Sequence, residues 1–180
     1  MKNSHSAAAS MKDVRVLTIM AMLAALSIIF GKVLAFTAGP FRVSFENLPI
    51  LMAGMFLGAP AGFLVGIIAD IIGCLIVGYS INPIITLAAG SIGLLAGLMY
   101  RVLVNQKLSV RVYGSVMTAH VIGSMILKSV GMMLFYHTPL IGVAPRVPLY
   151  ICIGAVESAI ILLLLKNQAF AAQVERLNQK

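Results

Sequence analysis

The sequence predicts an all-α integral membrane protein with six transmembrane helices and with both termini in the cytoplasm. Of its 180 residues, 61% are hydrophobic and 10% are charged, whereas about a quarter of the residues in a soluble domain are charged. The mean hydropathy is +1.04. The apolar residues gather into six runs, and about 20 apolar residues in helical form cross the hydrocarbon core of a bilayer. Alternating segments of about ten residues, which are typical of membrane β-strands, do not occur in the sequence.

The predicted helices correspond to six apolar runs that are separated by charged or turn-forming segments. In chain order these runs are Val14–Phe36, Leu48–Leu57, Ala61–Ile76, Ile84–Val104, Val112–Phe135 and Val147–Leu165. The second and third runs are short, and only the uncharged turn signal Gly58-Ala-Pro-Ala-Gly62 separates them, which predicts a tight helical hairpin. We expect one membrane domain over residues 1–180, with residues 1–12 and 167–180 as cytoplasmic tails.

The first run needs its own justification, because a basic flank followed by apolar residues is also typical of a signal peptide. This run is long, contains Lys32, and leads to further spans without an A-x-A cleavage site. We therefore expect it to form the first membrane helix.

Lysine and arginine determine the expected orientation, because they concentrate in cytoplasmic loops. With the amino terminus inside, the cytoplasmic flanks contain nine of the thirteen basic residues, namely Lys2, Lys12, Arg15, Arg101, Lys107, Arg111, Lys166, Arg176 and Lys180. Most of the net charge of +8 thus reflects the excess of lysine and arginine on the cytoplasmic side. The charge does not imply nucleic-acid binding.

Several classes of chemistry lack the residues that they require. The two cysteines, Cys74 and Cys152, lie in apolar runs with no accompanying metal ligands, so we expect buried free thiols and no metal site. Nucleotide-binding loops and common hydrolase motifs do not occur, so no enzyme activity and no cofactor are expected in this chain. An intramembrane lipid-modifying enzyme would need clustered carboxylates, whereas Asp70 and Glu157 stand alone in the sequence. A self-contained carrier would be expected to show clear internal repeats or a polar pathway through both leaflets, whereas the unexpected charges lie in the predicted outer half only.

Four basic or titratable residues lie in the predicted outer half of the protein, against the general bias. Arg42 is in the first outer loop, Lys128 in the fifth run, His137 in the last outer loop, and Arg146 at the start of the sixth run. Lys128 lies seven residues, or about 10 Å, from the outer end of its helix. Charges at membrane depth are costly and usually face a partner, a water-filled cavity or a ligand.

Two interpretations of these charges remain open from the sequence. Lys128 or Arg146 can form internal ion pairs with Asp70 or Glu157. Alternatively, an outward-facing cavity with excess positive charge binds an anionic solute, and the arginine forks clamp its carboxylates.

Small and aromatic residues form two further patterns. Glycines recur at Gly54, Gly58, Gly62 and Gly66, and again at Gly90, Gly93 and Gly97, which favours close packing of helices within the chain. Ala21 and Ala25 form a small-residue face on the first helix that suits a partner subunit. Tyr79, Tyr136 and Tyr150 are either interfacial anchors or flat walls for an aromatic solute.

One stretch gives the chain a family resemblance. The segment from Arg42 to Pro49 reads R-x-S-F-x-x-L-P, and the following residues to Gly73 contain G-x-x-x-G-x-x-x-D-x-x-G. This succession resembles the substrate-binding S components of energy-coupling factor (ECF) vitamin transporters, and most closely the folate-specific branch. The similarity extends from about residue 12 to residue 165.

The resemblance implies a six-helix protein of the bacterial cell membrane that captures a vitamin at its extracellular side with high affinity. It implies a transmembrane coupling subunit and two ATPases as partners, with ATP used only by those partners. Ala21 and Ala25 would contact the coupling subunit, and residues 37–47 would form a lid. Members of the family are thought to topple in the membrane to deliver the substrate.

A folate ligand would match the polar residues by chemical type. Arg42, Lys128 or Arg146 would neutralise the carboxylates, and a buried carboxylate would accept hydrogen bonds from the pterin. The remaining candidates are the acceptors Asp70 and Glu157, the walls Phe45, Tyr79 and Tyr150, and the loop residues Asn82 and His137. For Asp70 a purely structural contact is an equal alternative. Riboflavin, pantothenate or a queuosine precursor stay open as ligands, whereas a cationic thiamine fits a positive pocket poorly.

Overall fold

The computed structural model describes residues 13–38, 41–168, 170 and 172–174. For four of these, residues 37, 38, 41 and 42, it describes the backbone only. The described chain is helical apart from one short antiparallel hairpin. Its elements are α1 (Val14–Ile28), the π-helical segment π1 (Ile29–Val33), β1 (Phe36–Ala38), β2 (Phe41–Val43), α2 (Asn47–Leu57), α3 (Ala59–Val77), α4 (Pro83–Val102), α5 (Leu108–Ala119), the π-helical segment π2 (His120–Leu127), α6 (Lys128–Phe135), α7 (Leu140–Val143) and α8 (Arg146–Lys166).

Five helical segments of the described chain are long and apolar enough to cross a membrane. They are Val14–Val33, Ala59–Val77, Pro83–Val102, Leu108–Phe135 and Leu140–Lys166. The second predicted span forms only the 11-residue helix α2, whose length of about 16 Å covers half of a bilayer core. The expectation of six full spans is therefore confirmed for five, and the orientation of the termini stays a prediction.

The predicted hairpin between the second and third runs is present. α2 ends at Leu57, Gly58 has a φ of 106°, and α3 begins at the next residue. A positive φ of this size favours glycine, because a side chain would be strained there. The chain reverses within one residue, so α2 packs directly on α3.

The short helix α2 lies at the centre of the bundle between α1, α3 and α4. Every one of its residues except Met52 is buried. This placement explains why a helix too short to span the membrane is stable, since its apolar residues face other helices on all sides.

The glycines pack the helices together, as their spacing predicts. A Cβ atom added at Gly62 would lie 2.5 Å from the Cα atom of Gly54, and one added at Gly97 would lie 2.5 Å from the Gly54 carbonyl oxygen. A Cβ at Gly93 would collide with the backbone of Gly62. The backbones of α2, α3 and α4 therefore touch without intervening side chains, which strengthens dispersion contacts in a membrane protein.

The fifth predicted span is one continuous helix of 28 residues with a π-helical middle. The π segment π2 runs over His120–Leu127, and α8 packs mainly on α5 and π2. Wide π turns are rare and occur frequently at functional sites.

The two cysteines and the carboxyl-terminal residues differ in part from expectation. Both thiols are free, but Cys74 is buried whereas Cys152 is exposed on the outer surface of α8, where lipid would cover it. Phe170 and Val174 pack against the hydrophobic core, and the Phe170 ring contacts the Phe56 ring edge-on at 5.6 Å. These two residues of the predicted tail are thus part of the folded domain. Residues 1–12 and 175–180 lie outside the described chain.

Candidate solute-binding site

A cavity of about 760 Å³ opens at one end of the bundle. It lies where the carboxyl end of α3, the end of α6, α7 and the amino end of α8 meet, beside the segment that follows β2. Its volume falls within the range of about 300–1,000 Å³ that is usual for small-molecule sites. The lining contains three basic residues, two acidic residues and three tyrosines, which are Lys32, Lys128, Arg146, Glu46, Asp70, Tyr79, Tyr136 and Tyr150.

Lys128 forms an ion pair at the base of this cavity. Its Nζ lies 2.7 Å from Glu46 Oε1 and 3.5 Å from Asn47 Oδ1, and its side chain is 7% exposed. A lysine buried at this depth needs such a counterion. Lys128 therefore forms an internal ion pair, as one of the two interpretations above expects, but its partner is Glu46 and neither Asp70 nor Glu157.

Glu46 is held in place from the neighbouring helix. Its backbone carbonyl accepts a hydrogen bond of 2.6 Å from Ser27 Oγ on α1. A Cβ atom at Gly31 would lie 2.7 Å from Glu46 Oε2, so this glycine leaves the space that the carboxylate occupies. The acid is therefore positioned by α1 and by π1 together.

Asp70 and Lys32 line the wall formed by α3 and π1. Thr86 Oγ1 donates a hydrogen bond of 2.7 Å to Asp70 Oδ2. The Lys32 ammonium lies 5.8 Å from the centroid of the Tyr79 ring, within the range of a cation–π contact. In the described part of the chain no carboxylate oxygen lies within 4.0 Å of Lys32.

Arg146 leaves part of its hydrogen-bonding capacity unused at the cavity wall. Its guanidinium contacts Met132 Sδ, donates to Tyr150 OH at 3.4 Å, and lies 5.3 Å from the Tyr150 ring centroid. Its Nε is buried and has no hydrogen-bond partner among the described residues. No described carboxylate forms an ion pair with it. An anion in the cavity would supply the missing acceptor.

The charges of the lining leave the cavity positive. Lys128 and Glu46 compensate each other, and Lys32, Arg146 and Asp70 remain as two positive groups and one negative group. Low-dielectric walls strengthen the field of such charges. The site therefore suits a solute that carries negative charge and also offers at least one hydrogen-bond donor.

Four of the candidate residues lie elsewhere in the fold. Glu157 is fully buried and pairs with His120 at 2.6 Å. Asn82 caps α4 by accepting from Ile84 N at 2.9 Å and donates to the Gly131 carbonyl at 3.2 Å. His137 is an exposed loop residue with a φ of 49°, and Phe45 packs against the core. None of the four lines the cavity.

Two other predictions concern surfaces. Arg42 lies on β2 opposite Thr37 of β1, and its side chain is outside the described atoms. Ala21 and Ala25 are exposed on α1, whereas the intervening Ala24 is buried. The small-residue face of the first helix is therefore open to a partner.

Sequence reasoning missed several cavity residues. Lys32 carried a signal, since it interrupts an apolar run, but it was not assigned to the site. Glu46 lies just before α2, in the segment that carries the family resemblance, but its position in the sequence does not indicate it as a partner for Lys128. Met132 and Ser44 carry no pattern that distinguishes them from ordinary loop and helix residues, whereas Tyr136, one of the three tyrosines expected as anchors or flat walls, does line the cavity.

The apolar helices, with a charged cavity at one end of the bundle, define an integral membrane protein with a small-molecule pocket. The family model described as ECF transporter, substrate-specific component matches residues 15–173, and the chain belongs to this family. The family consists of substrate-binding components of transporters, which are not enzymes. A comparison with curated protein sequences finds no match.

Solved structures share the fold. FolT bound with folic acid aligns with a TM-score of 0.67 at 22% identity, over 82% of this chain and 90% of FolT. An S component of a bacterial ECF transporter aligns with a TM-score of 0.65 at 21% identity, over 86% of this chain and 95% of that one. At these identities the likeness shows a common architecture.

Proposed function

We propose that this chain is the high-affinity S component of an ECF importer for folate. In this proposal the cavity faces the extracellular side of the bacterial cell membrane, as the distribution of lysine and arginine predicts. The chain captures the vitamin and performs no catalysis.

The observation that carries the proposal is the state of Arg146. A buried guanidinium nitrogen without a partner is costly, and a ligand carboxylate would satisfy it. The glutamate tail of folate offers such carboxylates, and Lys32 of π1 adds a second positive group to the cavity lining.

The remaining lining suits the rest of a folate molecule. Asp70 presents a carboxylate to the cavity and matches the adjacent N–H donors of a pterin. Tyr79 and Tyr150 provide flat walls for the aromatic rings. The shared fold of FolT, whose solved structure contains folic acid, supports the same ligand class.

Transport requires partners in this proposal. Ala21 and Ala25 dock on the transmembrane coupling subunit, two ATPases supply the energy, and the S component reorients in the membrane to release folate inside. The β1–β2 hairpin and the residues up to 47 act as a lid over the cavity. The open small-residue face on α1 supports the docking role.

The test is the identity of the bound solute. The protein is purified in detergent from cells grown in rich medium, and mass spectrometry identifies any molecule that is released on denaturation. Calorimetric titration then compares folic acid with riboflavin, pantothenate, a queuosine precursor and thiamine. We expect folic acid to bind most tightly. Tighter binding of another vitamin would overturn the folate assignment, and binding of none would overturn the capture role.

A further inference from the structure

A buried polar pair lies next to the cavity without lining it. His120 Nε2 is 2.6 Å from Glu157 Oε2, and both side chains are 0% exposed. His120 Nδ1 lies 3.1 Å from Ser124 Oγ, one turn further along π2. Burial of such a pair among apolar helices is costly. A purely apolar contact would serve packing equally well, so the pair calls for another role.

The pair joins α8 to the rest of the protein. α8 packs mainly on α5 and π2, and it touches β2 only slightly. A Cβ atom at Gly154 would lie 3.0 Å from His120 Cδ2, so this glycine lets the imidazole rest on the helix backbone. His120 and Glu157 thus form a polar contact within the main interface of α8, the one with α5 and π2.

A short series of contacts leads from this pair to the ligand site. The His120 ring lies 5.5 Å from the Tyr150 ring. The Tyr150 hydroxyl accepts the hydrogen bond from Arg146 Nη2 at 3.4 Å. Tyr150 and Arg146 both line the cavity and both belong to the first two turns of α8. A shift or rotation of α8 would therefore move the arginine that is proposed to bind the anion.

We propose that His120 and Glu157 are positioning residues, which fix the rotation of α8 on π2 and thereby hold Arg146 and Tyr150 at the cavity wall. A directional hydrogen bond specifies one register of two helices, whereas apolar side chains in lipid tolerate several. His120 is the first residue of π2, and its side chain meets α8 at Glu157. The inference rests on the proposed ligand site.

The first test measures discrimination between ligands. Folic acid and 6-hydroxymethylpterin, which lacks the carboxylates, are titrated into the detergent-purified protein and into Glu157→Met and His120→Phe. We expect folic acid to bind about 3- to 20-fold more weakly to both variants, as for loss of one interhelical hydrogen bond, with a smaller effect on the pterin. Glu157→Gln keeps a hydrogen-bond acceptor for His120, so this variant should bind folic acid as tightly as the unmodified protein.

A control variant and a double-mutant cycle distinguish a positioning role from a general loss of folding or packing. Ser158→Ala removes a hydroxyl that is equally buried but bonds only to Gly154 of its own helix, and it should bind like the unmodified protein. In an Arg146→Ala background, Glu157→Met should weaken folic acid binding less than it does in the unmodified protein, because only the contribution of Tyr150 remains to be lost. Equal weakening of both ligands, or full additivity in the cycle, would overturn the proposal.

The second test needs no ligand. Cys74 lines the cavity. In a Cys152→Ser background, the rate at which an anionic methanethiosulfonate converts the Cys74 thiolate to a mixed disulfide, with release of methanesulfinate, therefore reports access through the mouth. Glu157→Met and His120→Phe should accelerate the reaction about 3-fold or more, and Glu157→Gln should not. Equal rates in all variants would refute the positioning role. If the unmodified protein fails to bind folic acid, the folate proposal fails, and these rates still decide the role of the pair.

Discussion

Replacing Arg146 by alanine tests the central claim about the cavity. The substitution removes a guanidinium whose Nε is buried without a partner and whose other contacts are Met132 Sδ and Tyr150 OH. Since these contacts are weak, the main loss on substitution is the interaction with the ligand. A hydrogen bond to a charged group contributes about 1.5–3 kcal/mol.

The expected weakening follows from this free energy. Because about 1.4 kcal/mol corresponds to a tenfold change in affinity, Arg146→Ala should weaken folic acid binding by about 10- to 150-fold. Arg146→Lys keeps the charge but not the planar fork of the guanidinium. Its affinity for folic acid should therefore lie between that of Arg146→Ala and that of the unmodified protein.

Calorimetric titration of the detergent-purified proteins measures the effect. Arg101→Ala is the matched control, because Arg101 is an exposed arginine near the opposite end of α4 and does not line the cavity. Thermal unfolding checks that each variant is folded. If Arg146→Ala bound folic acid within about twofold of the unmodified protein, the weakening would be well below the expected minimum of about tenfold. That result would refute the assignment of Arg146 to the site.

Three further perturbations address the partner surface, the packing and the ion pair. Ala21→Trp should leave folic acid binding intact but block uptake in cells that contain the whole transporter, and normal uptake would reject the docking role. Gly93→Ala should lower the stability by about 1–3 kcal/mol because its methyl group meets backbone, whereas Gly114→Ala meets only the end of a leucine and should unfold almost normally. Lys128→Ala should destabilise the protein by about 1–3 kcal/mol and weaken binding, because Glu46 loses its cation. Combining Lys128→Met with Glu46→Leu should restore the thermal stability but not the affinity; recovery of both would remove the pair from the site.

The extent of the helices was predictable because it depends on local properties. Five of the six predicted runs appear as membrane-length helices within a few residues of their predicted bounds, since in lipid every backbone group must be paired within its own segment. Gly58 marked the hairpin through its backbone freedom, and the spacing of Gly54 and Gly62 marked a close helix contact.

The partners of the charged side chains were not predictable in the same way. Lys128 and Glu46 are 82 residues apart in the chain, and the sequence indicated Asp70 or Glu157 as the internal partner instead. The rotation of each helix decided that Glu46 meets the lysine, while Glu157 turns away from the cavity toward His120.

The sequence by itself determined that the chain lies in a membrane, how long its helices are, which of them pack closely, and which residues are too polar for lipid. These are properties of single segments, governed by the transfer of side chains and backbone out of water. The tertiary structure alone decided that α2 stays inside the bundle, that α5 widens into π2, and that Arg146 keeps an unpaired nitrogen beside the cavity. Such outcomes depend on how helices far apart in the chain rotate against each other, because a change of rotation alters every contact of a helix while its hydropathy stays the same.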